Sequence, residues 1–277
     1  MAQADRQPSA AQSELSLQSF VEGSGHTLVM LGGGTQGAAA FAVHAKALAN
    51  DRRVVRLQTL NVATAEQGRP LPPGYDIKTE SRAMLRALDG LDVRAPIDIA
   101  GWSFGALVAL DFALDHPHRV RSLVLMEPPA FWVMPESDRQ SDPATREMLA
   151  VLAELEPTST PTDDQFRRFR CALDSCPAKV PTASDPEWAQ WNARRPALRG
   201  LSAIASHRDD VQRLKHFDRP VLVLTGSTTV SFHRRINDLL AALLPQAERG
   251  ELAGGHAAPV TAHDAFLARV KQFLARP

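Results

Sequence analysis

Ser103 sits in Gly101-Trp102-Ser103-Phe104-Gly105, a G-x-S-x-G pattern placed between an apolar run and a helix-like stretch. That spacing suits a serine meant to attack a carbonyl. The hydroxyl must project from a tight, strained turn at a sheet edge, and glycines two residues either side let strand and helix approach without Cβ clashes. The helix start would place the Phe104 N–H where an oxyanion develops. A chance G-x-S-x-G in a Gly/Ser loop would lack this context. Trp102 and Phe104 flank the serine and would border whatever it attacks.

A serine hydroxyl needs a base, and the chain has nine histidines. His256 stands out in Ala253-Gly254-Gly255-His256-Ala257-Ala258-Pro259, where flexible glycines would let the loop fold back over the sheet edge. A loop histidine with no task is the plainer reading. His233, at a helix start, is the other plausible base. His116 and His118 follow the helix after Ser103, and His26 precedes a strand; all three fall at the wrong end. His263 reads as a solvated first-turn residue.

Strands and helices must alternate to bring these residues together. Thr27–Leu31, 53–57, 97–100, 121–126, 221–224 and 249–252 read as strands. Helices are expected over 38–49, 78–88, 104–114, 234–244 and 262–274, with a Pro/Gly loop at 68–74. This alternation implies a doubly wound, mostly parallel sheet with helices on both faces. Between 131 and 213 no convincing strand occurs. Helical stretches near 143–155 and 163–173, joined by Pro-rich links, read as a helical cap inserted in a core of 21–130 and 214–277, after a frayed tail over 1–20.

With the Gly101–Gly105 turn, this order of elements and the late Gly-His, the chain resembles the α/β-hydrolase superfamily over about 27–274, the insertion apart. The resemblance implies an α/β-hydrolase fold and assigns the base role to His256. The acid departs from the usual pattern. Most of the superfamily places an Asp after the penultimate strand, but Gly226-Ser227-Thr228-Thr229-Val230-Ser231 holds no carboxylate. Glu127 ends the strand next to that of Ser103, at the strand carboxyl ends where ligands bind. It could orient His256. Its Met126-Glu127 resembles the arrangement in haloalkane dehalogenases, whose nucleophile is an aspartate, so dehalogenation is not implied. The plainer reading of Glu127 is a loop-capping carboxylate. Asp98, at a strand beginning, and Asp238, inside a surface helix, are poorer acids.

Gly32-Gly33-Gly34-Thr35-Gln36-Gly37 follows the first clear strand. In the superfamily this loop usually begins His-Gly and supplies the second oxyanion N–H. Gly32 replaces the His, leaving the Gly34 N–H as first candidate, Thr35 as second, and Gly33 beside the substrate. The same residues satisfy G-x-G-x-x-G, the dinucleotide fingerprint. The acid that fingerprint expects at the end of the next strand is absent: that strand ends in Gln58 and Thr59.

Composition narrows the classes. Lys+Arg and Asp+Glu are both 31, so no basic excess exists to hold nucleic acid or an anionic membrane. No apolar run reaches the roughly 18 residues that span a bilayer. Residues 1–20 lack the basic start and apolar run of a signal peptide, giving a cytoplasmic reading. Cys171 and Cys176 are then expected as free thiols. Three of the four tryptophans lie in the insertion. These three, Trp132, Trp188 and Trp191, with Phe131, Met134, Phe166 and Phe169 suggest an apolar-walled pocket, while Arg167, Arg168, Arg170, Arg194 and Arg195 suggest a solvated face.

The expectation is a cofactor-independent serine hydrolase, with no metal, acting on a small, largely apolar ester, thioester or lactone. Its catalytic residues would be Ser103, His256 and Glu127, its oxyanion hole Phe104 and Gly34. Gly33, Thr35, Trp102, Phe131 and Trp132 would touch substrate. A homodimer is compatible with this reading. The alternatives are a non-catalytic ligand-binding relative and a dinucleotide-dependent oxidoreductase.

Overall fold

A computed structural model describes residues 15–173 and 176–276. The chain runs β1 (Gln18–Glu22), β2 (Thr27–Leu31), α1 (Ala42–Leu48), β3 (Arg53–Gln58), α2 (Leu60–Glu66), α3 (Ile77–Gly90), β4 (Ile97–Trp102), α4 (Phe104–Asp115) and β5 (Val120–Met126). A helical stretch follows: α5 (Glu136–Ser141), α6 (Pro143–Ala153), α7 (Asp163–Cys171), α8 (Trp188–Arg194), α9 (Ser202–Ser206) and α10 (Val211–Lys215). Then come β6 (Val221–Gly226), α11 (Ser231–Leu243), β7 (Ala247–Leu252), α12 (Ala258–Thr261) and α13 (His263–Leu274).

The sheet has seven strands in the order β1-β3-β2-β4-β5-β6-β7. All neighbours are parallel except β1, which lies antiparallel on β3. Side chains of the central strands alternate between two buried layers. Val29, Leu31, Ile99, Leu123, Leu125 and Val223 face one cluster, while Leu28, Met30, Ala100, Val124 and Leu222 face the other. Burial on both faces is why these strands are continuously apolar. α4 is buried from Phe104 through Leu114, and such a helix belongs in the middle of a layer.

The tail expected over 1–20 is corrected at its end. Residues 1–14 lie outside the described ones, but Leu17 is buried and β1 is paired along its length. As an edge strand with largely exposed side chains, β1 carries little apolar signal. The stretch before 68 holds α2, which was not foreseen. Cys171 and Cys176, expected as free thiols, form a disulfide, with Ala172 and Leu173 leaving α7 in a turn. Between β5 and β6 no described residue is in a strand. Among the described residues no helix is long and apolar enough to cross a membrane.

Candidate active site

The parallel sheet delivers its chemistry at one edge. Leu31, Trp102, Met126, Gly226 and Leu252 end β2, β4, β5, β6 and β7. Gly34, Ser103, Glu127, Thr229 and His256 follow within a few residues of those ends, so the strand register alone gathers them.

Ser103 has φ 56° and ψ −124°, the left-handed region, a strain of about 1–3 kcal/mol for a non-glycine residue. Two close approaches enforce the turn. A Cβ on Gly101 would lie 2.5 Å from the Ala106 Cα, and one on Gly105 would overlap the Leu31 carbonyl. The Ser103 N–H donates to the Met126 carbonyl at 2.9 Å, tying the turn to β5.

Glu127 follows Met126 directly and is fully buried. Its Oε1 accepts from the Gly226 N–H at 2.7 Å. Its Oε2 accepts from Thr229 Oγ1 at 2.9 Å and bonds His256 Nδ1 at 2.7 Å. The end of β6, where most of the superfamily would place the acid, thus supplies donors to an acid from β5. Burial pushes the Glu127 carboxyl up. The pull of the neighbouring histidines, the His256 hydrogen bond and the Gly226 N–H outweigh it and hold the group at about 2. An ionised Glu127 places the His256 proton on Nδ1, leaving Nε2 as an acceptor.

The histidine loop packs tightly. A Cβ on Gly226 would come 2.5 Å from the Gly255 carbonyl oxygen. Trp102 Nε1 donates to the His256 carbonyl at 2.8 Å, so Trp102 holds the loop as well as lining the cleft. His233, the other base candidate, stacks on His256 with ring centroids 4.4 Å apart and planes 7° from parallel. Burial, then the nearby His256, lowers it to about 3, so it is neutral at physiological pH. Among the described residues the hydroxyl of Ser103 makes no hydrogen bond to His256. The two line one cleft.

Gly34 packs where a Cβ would overlap Leu201 and lie 2.9 Å from the Phe104 Cβ. Gly34 thus packs on Phe104, the residue after the serine, and the expected oxyanion donors are the N–H groups of these two residues. Among the described residues neither donates to a protein acceptor. Asn61 sets this loop: its Nδ2 donates to the Gly34 carbonyl at 2.6 Å and to the Ala197 carbonyl at 3.1 Å. Asn61 is itself set by buried Glu80, which accepts from the N–H groups of Leu60 and Asn61 and from the Tyr75 hydroxyl. Burial pushes Glu80 up to about 7. No sequence signal marks Asn61, because the sequence gives no helix expectation between the strand at 53–57 and the Pro/Gly loop at 68–74.

The cleft has a volume of about 350 Å³. Gly33, Gly34, Thr35, Trp102, Ser103 and His256 all line it. Phe131 and Ser103 border a smaller hollow beside it. Trp132, expected at the substrate, lies at neither; it packs near His207, 6.4 Å between centroids, because the 3₁₀ turn Phe131–Val133 points the two rings apart. Of the aromatics expected to wall the pocket, Phe166, Phe169 and Trp191 line the cleft, and Arg170, Arg194, Glu187 and Gln190 line it with them. The solvated-face reading is corrected for Arg170 and Arg194. Arg168, which pairs with Glu154 at 2.6 Å, keeps to it. His263, expected as solvated, bonds buried His44 at 3.0 Å.

Two side-chain groups have metal-ligand types, Glu127/His233/His256 and Asp111/His207/Asp209. In the first, both Glu127 oxygens already accept hydrogen bonds. In the second, Lys78 Nζ stands 2.8 Å from Asp111 and supplies the positive charge. The G-x-G-x-x-G turn is occupied too. The Gln58 Oε1 accepts from the Ala38 N–H at 2.6 Å and fills the helix start behind that turn.

A family model for the alpha/beta hydrolase fold matches residues 26–262. The chain belongs to that family. Its sequence is 26% identical over 259 residues to a putative carbamate hydrolase, RutD, of Caulobacter vibrioides, covering 91% of each. It is 28% identical over 170 residues to a pimeloyl-[acyl-carrier protein] methyl ester esterase of Aromatoleum aromaticum, covering 60% of this chain and 68% of that one. A 63-residue stretch is 48% identical to homoserine O-acetyltransferase of Thermus thermophilus, only 16% of that protein's length and 23% of this chain. Among solved structures, an alpha/beta hydrolase from Sphaerobacter thermophilus superposes with TM-score 0.68 at 21% identity, covering 94% of this chain and 96% of that one. The enol-lactonase of Burkholderia xenovorans superposes with TM-score 0.63 at 19% identity, covering 94% and 96%.

Proposed function

We propose that this protein is a serine hydrolase that opens a small, largely apolar ester, thioester or lactone through an acyl-enzyme. The observation that carries the reading is the 2.7 Å bond between Glu127 and His256 Nδ1, at the edge where Ser103 stands on its strained turn. Ser103 Oγ attacks the carbonyl carbon while His256 Nε2 takes its proton. Glu127 holds the imidazole in the required tautomer and offsets the charge of the imidazolium. The Phe104 and Gly34 N–H groups receive the oxyanion. His256 then returns the proton to the leaving alkoxide or thiolate. Water then attacks the acyl-enzyme carbonyl and gives a proton to Nε2; the C–Oγ bond breaks, Ser103 Oγ takes that proton back, and the acid leaves. No cofactor takes part. The helices over 131–213 act as a lid that limits water and selects the substrate.

The test is intact-protein mass after treatment with a fluorophosphonate, on wild type and Ser103→Ala. The expected result is one adduct on wild type and none on the variant. A folded wild type that stays unlabelled would overturn the reading in favour of a ligand-binding relative.

A further inference from the structure

A small hollow of about 20 Å³, room for about one water, opens beside Ser103. Pro129, Phe131, Met148, Leu152, Leu201 and Phe232 contribute to its apolar wall. Among the described residues that line it, only Ser103 and His233 bring a hydrogen-bonding side chain. His233 is 1% exposed, and neither ring nitrogen has a hydrogen-bond partner among the described residues. Stacking on His256 needs only a flat ring, which Phe would supply without orphaned nitrogens. Leaving a buried polar group unpaired costs free energy that folding alone does not recover.

We propose that His233 is a specificity-determining residue that hydrogen-bonds a hydroxyl or keto oxygen which a short acyl group, lying in the cleft, projects into this hollow. The inference rests on the serine-hydrolase reading. The acyl carbon bonds Ser103, the chain lies in the cleft, and its oxygen takes the one-water space of the hollow, where His233 is the polar side chain left to meet it. A neutral imidazole carries one donor and one acceptor, so either a hydroxyl or a ketone finds a partner. An unsubstituted alkyl acyl group would leave His233 unpaired, and a site built for a polar contact discriminates against it for that reason.

The experiment compares 4-nitrophenyl butanoate, 3-hydroxybutanoate and 3-oxobutanoate on wild type, His233→Phe and His233→Gln. It reads kcat/KM, with acylation of Ser103 followed by intact mass. Wild type should favour the oxygenated esters over butanoate. His233→Phe should collapse that ratio by about tenfold, the scale of one buried hydrogen bond, and His233→Gln should retain part of it. A general disturbance of His256 lowers all three rates together and leaves the ratio alone. An unchanged ratio in His233→Phe overturns the inference, as does the absence of any preference or of any acylation in wild type. If His233→Phe does not fold, His233→Leu takes its place, and an unchanged ratio there overturns the inference. Should wild-type Ser103 also fail to take the fluorophosphonate, the hydrolase reading falls with it; an adduct with an unmoved ratio removes the inference alone.

Discussion

Two buried carboxylates stand at opposite edges of the sheet, each beside a histidine. At the amino edge Asp98 accepts from Arg52 at 2.7 Å, from Arg121 at 2.6 Å and from Ser122 at 2.6 Å, with His26 at 3.4 Å. At the carboxyl edge Glu127 has an amide, a hydroxyl and His256. Both are fully buried. The difference lies in the permanent charge around them. Two arginines neutralise Asp98 whatever His26 does, so that pair ties the strand starts and the carboxyl end of α13 together. Glu127 has no permanent cation among its hydrogen-bond partners. Its charge is matched fully only when His256 takes a proton, the event a serine nucleophile requires. A buried carboxylate-histidine pair is thus architecture or chemistry according to what else supplies the charge.

Glu127→Gln should break the second pair most severely. The amide cannot fix the His256 tautomer, and kcat should fall by on the order of 10⁴ while circular dichroism stays native. Near-wild-type turnover would remove Glu127 from the mechanism. Asp98→Asn should do the reverse. It leaves two arginines beside an uncharged amide and should cost roughly 3 kcal/mol in urea unfolding, with kcat per folded molecule unchanged.

Acid should separate the edges next. His233 is lowered from 6.5 to about 3, so its contribution to stability is complete above 6.5 and is lost as pH falls through about 3. Glu127 is lowered from 4.5 to about 2, so its contribution is complete above 4.5 and is lost as pH falls through about 2. Glu80, raised to about 7, acts oppositely, its contribution fading as pH rises from 4.5 through 7. Thermal melts from pH 7 to pH 3 should therefore show wild type losing stability relative to His233→Phe; parallel curves would remove His233 from the acid response. The smallest effects come last. Thr229→Val deletes one hydrogen bond to Glu127 and should lower kcat about fivefold. His26→Ala, at the partly exposed member of the Asp98 pair, should shift stability by less than about 1 kcal/mol. A larger loss there would mean that His26, and not the arginines, matches Asp98.

Much of the fold was legible because central strands buried on both faces write themselves as apolar runs, as Leu28 to Leu31 and Leu123 to Met126 do. Edge strand β1 left no such trace, and α2 was hidden before the Pro/Gly loop. Ser103 was legible because both glycines stand two residues from it in the chain, although only Gly101 answers a contact within the turn and Gly105 answers the distant Leu31 carbonyl. Glu127 and His256 were legible as residue types at strand ends, while their bond depends on β5 standing between β4 and β6. Trp132 shows the limit in the other direction: an aromatic one residue from Phe131 faces away from the cleft because a 3₁₀ turn rotates it.

By itself the sequence determined the periodicity, the strained turn and the candidate serine, acid and histidine, since each depends on neighbours close along the chain. Only the tertiary structure decided that Gly226 and Thr229 grip Glu127, that Asn61 holds Gly34, and that His233 lies flat on His256 at the wall of a hollow. Those contacts join residues brought together by strand order and side-chain packing, which the local pattern of one chain does not encode.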